Sequence, residues 1–166
     1  RVEYAVRLPG RDDGGAPCWL PIDAKFPLED WQRLQEAVER ADATAVEASR
    51  RSLDAFFKLQ AKTIRDKYVE PPHTTDFAIL FVPAEGLFAE AVSRPGLADA
   101  LQRDYRVTLA GPTTLSAMLN SLQLGFRTLA IEKQSTEVWR VLGAVKTEFG
   151  RFGDILGKAR EKLDAV

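Results

Sequence analysis

The stretch that most constrains the fold is a run of apolar residues, Phe77-Ala78-Ile79-Leu80-Phe81-Val82, closed by Pro83. Such a run is short for a helix, and it has no polar face to turn toward water. It predicts a central strand covered on both faces. Three further strands read around it. Val2 to Leu8 alternates apolar residues with Glu3 and Arg7, as a half-buried strand does. Trp19 to Lys25 is a second, and Pro21 inside it indicates a sheet edge or a bulge. Pro9, Gly10 and the run Arg11 to Gly15 read as the loop of a hairpin between these two. Tyr105 to Ala110 is the fourth strand.

Helical periodicity fills the intervals. Leu28, Trp31, Leu34, Val38 and Ala41 recur at steps of three and four, and Val46, Leu53, Phe57, Ile64 and Tyr68 form a second stripe. Residues 28–70 therefore predict an antiparallel helical pair, joined near Asp42 and ended by Pro71-Pro72, inserted in the domain and projecting from the sheet. Glu85 to Val92 and Gly96 to Arg103 are shorter helices. Gly111-Pro112-Thr113-Thr114 suits a helix start. Leu115, Met118, Leu122, Phe126 and Leu129 continue from it, and Val138, Leu142, Val145, Phe149, Phe152, Leu156 and Leu163 repeat the pattern. The expected fold is α/β, a mixed sheet with long helical elaborations. A length of 166 residues suits one domain, residues 1–166. The first residues read as a strand and the last as a helix, so the chain reads as the core of a longer protein.

Composition removes several classes. A single cysteine, Cys18, excludes an internal disulfide and a thiolate metal cage. A formal charge of -1 leaves no bulk basicity, so contact with DNA requires a local basic patch. There is no apolar run long enough to span a membrane and no signal-peptide pattern, so no membrane contact is expected from this stretch. His73 is the only histidine and reads as a loop residue, which leaves no histidine-based triad or metal cluster.

The sharpest chemical feature is Asp23-Ala24-Lys25 at the end of a strand. Alternation places Asp23 and Lys25 on one face, and strand pairing would bring Glu3 toward Asp23. Two carboxylates suit Mg²⁺, a hard cation that takes oxygen ligands and keeps several waters. A lysine beside them can orient a water and offset charge on a phosphate. A surface salt-linked pair would read the same way. Thr113 and Thr114 lie at a helix N-terminus, where free N–H groups can bind a phosphate or simply be capped. Asn120, Gln123 and Arg127 share a helix face, and Lys133 can continue it; such a face can touch DNA or remain solvated. The C-terminal amphipathic pattern can equally dock a partner or a second copy.

Several segments together resemble the RmuC family of bacterial DNA recombination proteins. They are Leu20 to Pro27, Thr75 to Phe81, Ala110 to Leu115, Leu119 to Thr128, Glu137-Val138-Trp139 and Val145 to Phe149. The resemblance implies a restriction-endonuclease-like core of the PD-(D/E)xK type. Glu3 would take the first acidic place, Asp23 the second and Lys25 the lysine, with Glu3 and Asp23 holding Mg²⁺, or Mn²⁺ in its stead. Val2-Glu3 stands where the family pattern has Pro-Asp. Gln123 and Arg127 resemble a helix motif near the scissile phosphate, with arginine where tyrosine is common.

The resemblance further implies an N-terminal membrane anchor and a coiled coil ahead of this core. It places the protein in the cytoplasm, anchored to the inner membrane by that segment. The expected activity is metal-dependent endonuclease cleavage of recombination intermediates or inverted-repeat structures, with structured or branched DNA as partner and a homo-oligomer as one assembly. The alternative is a non-catalytic DNA-binding or scaffolding domain that limits rearrangement. Convergence of Glu3 with Asp23 and Lys25 discriminates the two.

Overall fold

The computed structural model describes the backbone at residues 2–9 and 16–164, and the side chains of these except at residues 130–137, 139, 150 and 152–164. It comprises two compact units, residues 1–117 and residues 118–166.

The first unit carries β1 (Tyr4–Leu8), β2 (Cys18–Ala24), α1 (Leu28–Glu39), α2 (Ala43–Tyr68), β3 (Ala78–Phe81), α3 (Glu85–Ser93), α4 (Leu97–Tyr105) and β4 (Val107–Ala110). The long helix α5 (Pro112–Asp164) begins in this unit and forms the second. The strands form one sheet in the order β1-β2-β3-β4. β1 runs antiparallel to β2, whereas β2, β3 and β4 run parallel. The mixed α/β class expected from the sequence is thus observed, with β3 central as its apolar run requires.

Parallel neighbours need a crossover, and helices supply it. α1 and α2 connect β2 to β3; α3 and α4 connect β3 to β4. The expected projecting pair at residues 28–70 is therefore corrected: α2 packs on the sheet. Phe57, Ala61 and Ile64 of α2 share one buried cluster with Leu80 of β3, Leu109 of β4, and Leu97 and Leu101 of α4. The stripe on α1 is also shifted. Leu34 and Ala37 are buried and Trp31 packs against the cluster that holds Leu34, while Leu28 and Val38 are exposed. Asp42 separates the two helices, its carboxylate accepting from the Ala45 N–H at 3.0 Å as an N-cap.

Pro21 lies in an internal strand, which corrects the edge alternative. Trp19 bridges Thr74 while Ile22 pairs with Ile79, so the partner chain carries extra residues opposite Pro21. The Lys25 N–H donates to Phe81 O, and the Trp19 N–H to His73 O, so alternate residues of β2 face that partner. The missing N–H of Pro21 falls on the same side, at the bulge, where no regular ladder is broken.

Gly111 follows β4 and is buried. A Cβ there would lie 2.7 Å from the Phe88 ring and 2.9 Å from Glu85 Oε2. Gly111→Ala is expected to cost about 1–3 kcal/mol, because the ring or the start of α5 must move. Urea denaturation measures it; an unchanged midpoint would show that Phe88 yields freely. Ion pairs fasten α2 to the next crossover: Arg50 reaches Glu90, and Arg94 reaches Asp54 at 3.0 Å.

Candidate metal centre

β2 ends in Asp23-Ala24, and the chain leaves it at Lys25. Asp23 pairs in register with Leu80, and Leu80 with Leu109. Register partners project to the same side of a sheet, so Asp23 lies on the face that α2 covers. It is 1% exposed and is the buried charged residue among the described residues. Ionised and buried, such a group needs a counter-charge.

Lys25 supplies it. Its Nζ lies 2.7 Å from Asp23 Oδ2, with the lysine side chain 30% exposed and the aspartate side chain 2% exposed. The Lys25 ammonium is thus the partner of this buried oxygen. Two residues apart on an extended chain, the pair shares one face because the strand period is two.

Glu3 lies one residue before β1, on a bend, rather than in the strand as expected. Pairing with β2 begins at Tyr4, opposite Ile22, so Glu3 stands just beyond the last paired residue of β1. Glu3 is exposed at the rim, while Asp23 is buried. The Glu3 carboxylate acts electrostatically on Lys25, as does Tyr68 at the end of α2. The structure thus brings Asp23 and Lys25 into contact, with Glu3 acting on Lys25 only electrostatically.

The Lys25 ammonium titrates above its ordinary 10.5. Partial burial is the largest single influence and lowers it; Asp23, then Glu3 and Tyr68, together outweigh that effect. Lys25 is therefore charged at neutral pH. It is a cation that can orient a water or a phosphate, and a poor proton acceptor there. A folded-state pKa above the unfolded one gives stability that is complete below about pH 10.5 and is lost as pH rises through the folded value. Accordingly, the stability difference between wild type and Lys25→Met should stay level from neutral pH to about 10.5 and shrink above it. Denaturant titrations across that range check the sign.

Asp23 and Glu3 are the carboxylates available to a cation. Among the described residues no cluster of three or more His, Cys, Asp or Glu forms a metal cage. Mg²⁺ commonly takes only one or two carboxylates and retains waters, so the chemistry of this donor pair fits such an ion.

Thr113 and Thr114 open α5 in the first unit. Glu85, the first residue of α3, lies at the same turn: the Thr113 N–H points to Glu85 Oε2 at 3.5 Å. Its carboxylate already complements the positive helix end, and a phosphate there would share the turn with it. Sequence reading missed both Glu85 and Tyr68. Glu85 has no local motif, and Tyr68 reads as one more residue of an apolar stripe. Asn120, Gln123 and Arg127 are exposed on α5 in the second unit. The side chain of Lys133 lies outside the described residues. Among the described residues, no helix is long and apolar enough to cross a membrane.

The sequence model of the RmuC family matches residues 1–166. A protein of Xylella fastidiosa named "DNA recombination protein RmuC homolog" is 61% identical over 165 residues, covering 99% of this chain and 36% of the relative. One of the same name from Chlamydia pneumoniae is 27% identical over 165 residues, covering 95% of this chain and 37% of the relative. The chain thus spans little more than a third of the curated relatives it matches. No solved structure matches it.

Proposed function

We propose that this chain, which belongs to the RmuC family, acts in DNA recombination as the hydrolytic core of a metal-dependent nuclease. The observation that carries this reading is the buried Asp23 carboxylate, paired with Lys25 where β2 ends and with Glu3 in electrostatic reach. Asp23 and Glu3 would hold Mg²⁺ or Mn²⁺. Such an ion, when bound, supplies a water of lowered pKa and neutralises charge on the phosphate. Asp23 is fixed by the sheet, so its oxygen keeps one position through turnover. Lys25 remains charged, orients the attacking water and meets the negative charge that grows on the phosphoryl oxygens. Burial of Asp23 excludes water from its inner side and leaves the rim at Glu3 open for the backbone of DNA.

Asn120, Gln123 and Arg127 are proposed to contact DNA, and Thr113 and Thr114 its phosphates. A restriction-endonuclease-like arrangement is proposed for the core, with structured or branched DNA as substrate. The full-length protein is proposed to work in the cytoplasm from a membrane anchor outside this chain.

A second reading, a DNA-bound scaffold without catalysis, is favoured by the apolar side chains that α5 exposes at Val138, Val141, Leu142, Val145 and Phe149. The test is cleavage of labelled hairpin, branched, single-stranded and duplex DNA by the full-length protein with Mg²⁺ or Mn²⁺. Metal-dependent cutting that is lost in Asp23→Ala and Lys25→Ala supports the nuclease. Folded wild type that binds DNA but never cuts it supports the scaffold.

A further inference from the structure

We propose that the outward face of α2 is a DNA-binding surface in its own right, on which Arg51, Lys58, Lys62 and Arg65 hold the phosphate backbone of a duplex segment. The inference rests on DNA as the partner of this chain and adds where that partner is held; it needs no catalysis.

The residues stand at steps of seven, four and three along α2, so they form one stripe on the helix. All of them are exposed, while Leu53, Phe57, Ala61 and Ile64 hold another face of the same helix in the core. From Arg51 to Arg65 the stripe runs about 21 Å, at about 1.5 Å of rise per residue. One strand of a duplex places a phosphate about every 3.4 Å of its axis, so a stripe of this length passes about six of them.

Charge is not offset here as it is on neighbouring elements. Arg50 meets Glu90 at 2.6 Å, Arg94 meets Asp54 at 3.0 Å and Arg103 meets Asp104 at 2.8 Å. Among the described residues, no ion pair joins Arg51, Lys58, Lys62 or Arg65 to a carboxylate. Arg65 donates to the Asp104 carbonyl oxygen at 2.8 Å, which anchors the guanidinium without neutralising it. The acids at the margin are engaged or set aside: the Glu47 carboxylate lies 3.6 Å from Arg94, Asp54 holds the same arginine, and Asp66 is exposed beside the stripe.

Such a stripe does not serve the helix. Like charges three and four residues apart repel and weaken it. The chain as a whole has a formal charge of -1, so the stripe is a local concentration rather than general basicity. It is the local patch that contact with DNA requires. A lipid surface fits it less well, because a helix that lies in a membrane inserts its apolar face, and that of α2 is packed on the sheet. Asp23 lies on the sheet face that α2 covers, whereas the stripe turns to solvent. Losing the stripe should therefore weaken DNA binding and leave the candidate metal centre intact.

The experiment measures binding of fluorescent duplex and branched DNA to the full-length protein by anisotropy, without divalent metal, from about 50 to 200 mM salt. Circular dichroism checks folding. The variant Arg51→Gln/Lys58→Gln/Lys62→Gln/Arg65→Gln is expected to bind roughly tenfold more weakly or worse. Its slope of log affinity against log salt should fall by about three to four, near 0.9 per phosphate contact. Lys58→Gln and Lys62→Gln singly should each lower the slope by about one, which keeps the test open if the combined variant fails to fold. Arg33→Gln/Arg40→Gln removes arginines paired with Asp30 and Glu36 on α1 and should leave the slope unchanged. An equal fall in that control, or wild-type affinity and slope in the folded stripe variants, overturns the surface while DNA remains the partner. A loss confined to binding of phosphatidylglycerol vesicles overturns it in favour of a membrane. Wild type that binds no DNA at any of these salt concentrations overturns both the surface and the DNA reading.

Discussion

Asp23→Asn is expected to lower metal-dependent DNA cleavage by roughly 10³-fold or more while leaving the domain folded, since a carboxylate ligand supports several kcal/mol of transition-state stabilisation. The amide keeps the shape of the side chain and removes its charge. Asp23 is 1% exposed and sits in a sheet, so its side chain has little freedom to move. The stability consequences are asymmetric. Removing the aspartate charge leaves Lys25, whose side chain is 30% exposed and can be solvated. Removing the lysine leaves a carboxylate with 2% exposure and without that counter-charge. Breaking a fully buried pair costs about 3–5 kcal/mol, and the partial exposure of Lys25 reduces this to about 1–3 kcal/mol. Lys25→Met should therefore destabilise more than Asp23→Asn, with both deficient in cleavage. Paired measurements of DNA cleavage and urea midpoints check this. Cleavage retained in folded Asp23→Asn would remove Asp23 from the chemistry.

What the residues reveal locally and what they conceal divide along physical lines. The β3 run is legible because a strand buried on both faces must be apolar throughout, and alternation in β2 suffices to place Asp23 beside Lys25. The start of α5 after Gly111 is legible from proline and threonine chemistry. By contrast, the bulge opposite Pro21 depends on how residues 74–79 lie, and no property of Pro21 itself reports that. Which face of α1 is buried depends on α2: Leu28 and Val38 fit a helical stripe yet face water, because the sheet-packed stripe of α2 selects Leu34 and Ala37. Glu3 could be named from the family pattern, but its place before β1 follows from where pairing with β2 stops. Tyr68 acts electrostatically on Lys25 and Glu85 meets Thr113 across the fold, and no spacing rule reaches that far.

Phe57→Ala should cost about 3–5 kcal/mol of folding stability, a large part of the 5–15 kcal/mol that holds a typical domain together. The effect follows from where the ring sits. Phe57 is 0% exposed, in register on α2 with Leu53, Ala61 and Ile64. These residues join the central strands to α4 through one cluster. Truncation removes transfer free energy and leaves a cavity that an element packed on a sheet cannot easily close. It also removes the edge-to-face contact with Phe56, whose ring centre is 5.7 Å away at 78°. That contact adds about 0.5–1.5 kcal/mol to the burial. Leu59→Ala, on the same helix but 60% exposed, should change stability by less than about 0.5 kcal/mol. The comparison separates packing from helix propensity, since both substitutions place alanine in the same helix. Urea unfolding followed by tryptophan fluorescence measures both, and an unchanged denaturant slope assigns the difference to stability. Because α2 also carries Tyr68 and covers the face of Asp23, a weakened Phe57 contact should reach the candidate metal centre as well. Mn²⁺ affinity should then fall in Phe57→Ala and hold in Leu59→Ala. Comparable stability losses in the two variants would show that α2 does not anchor the sheet through Phe57.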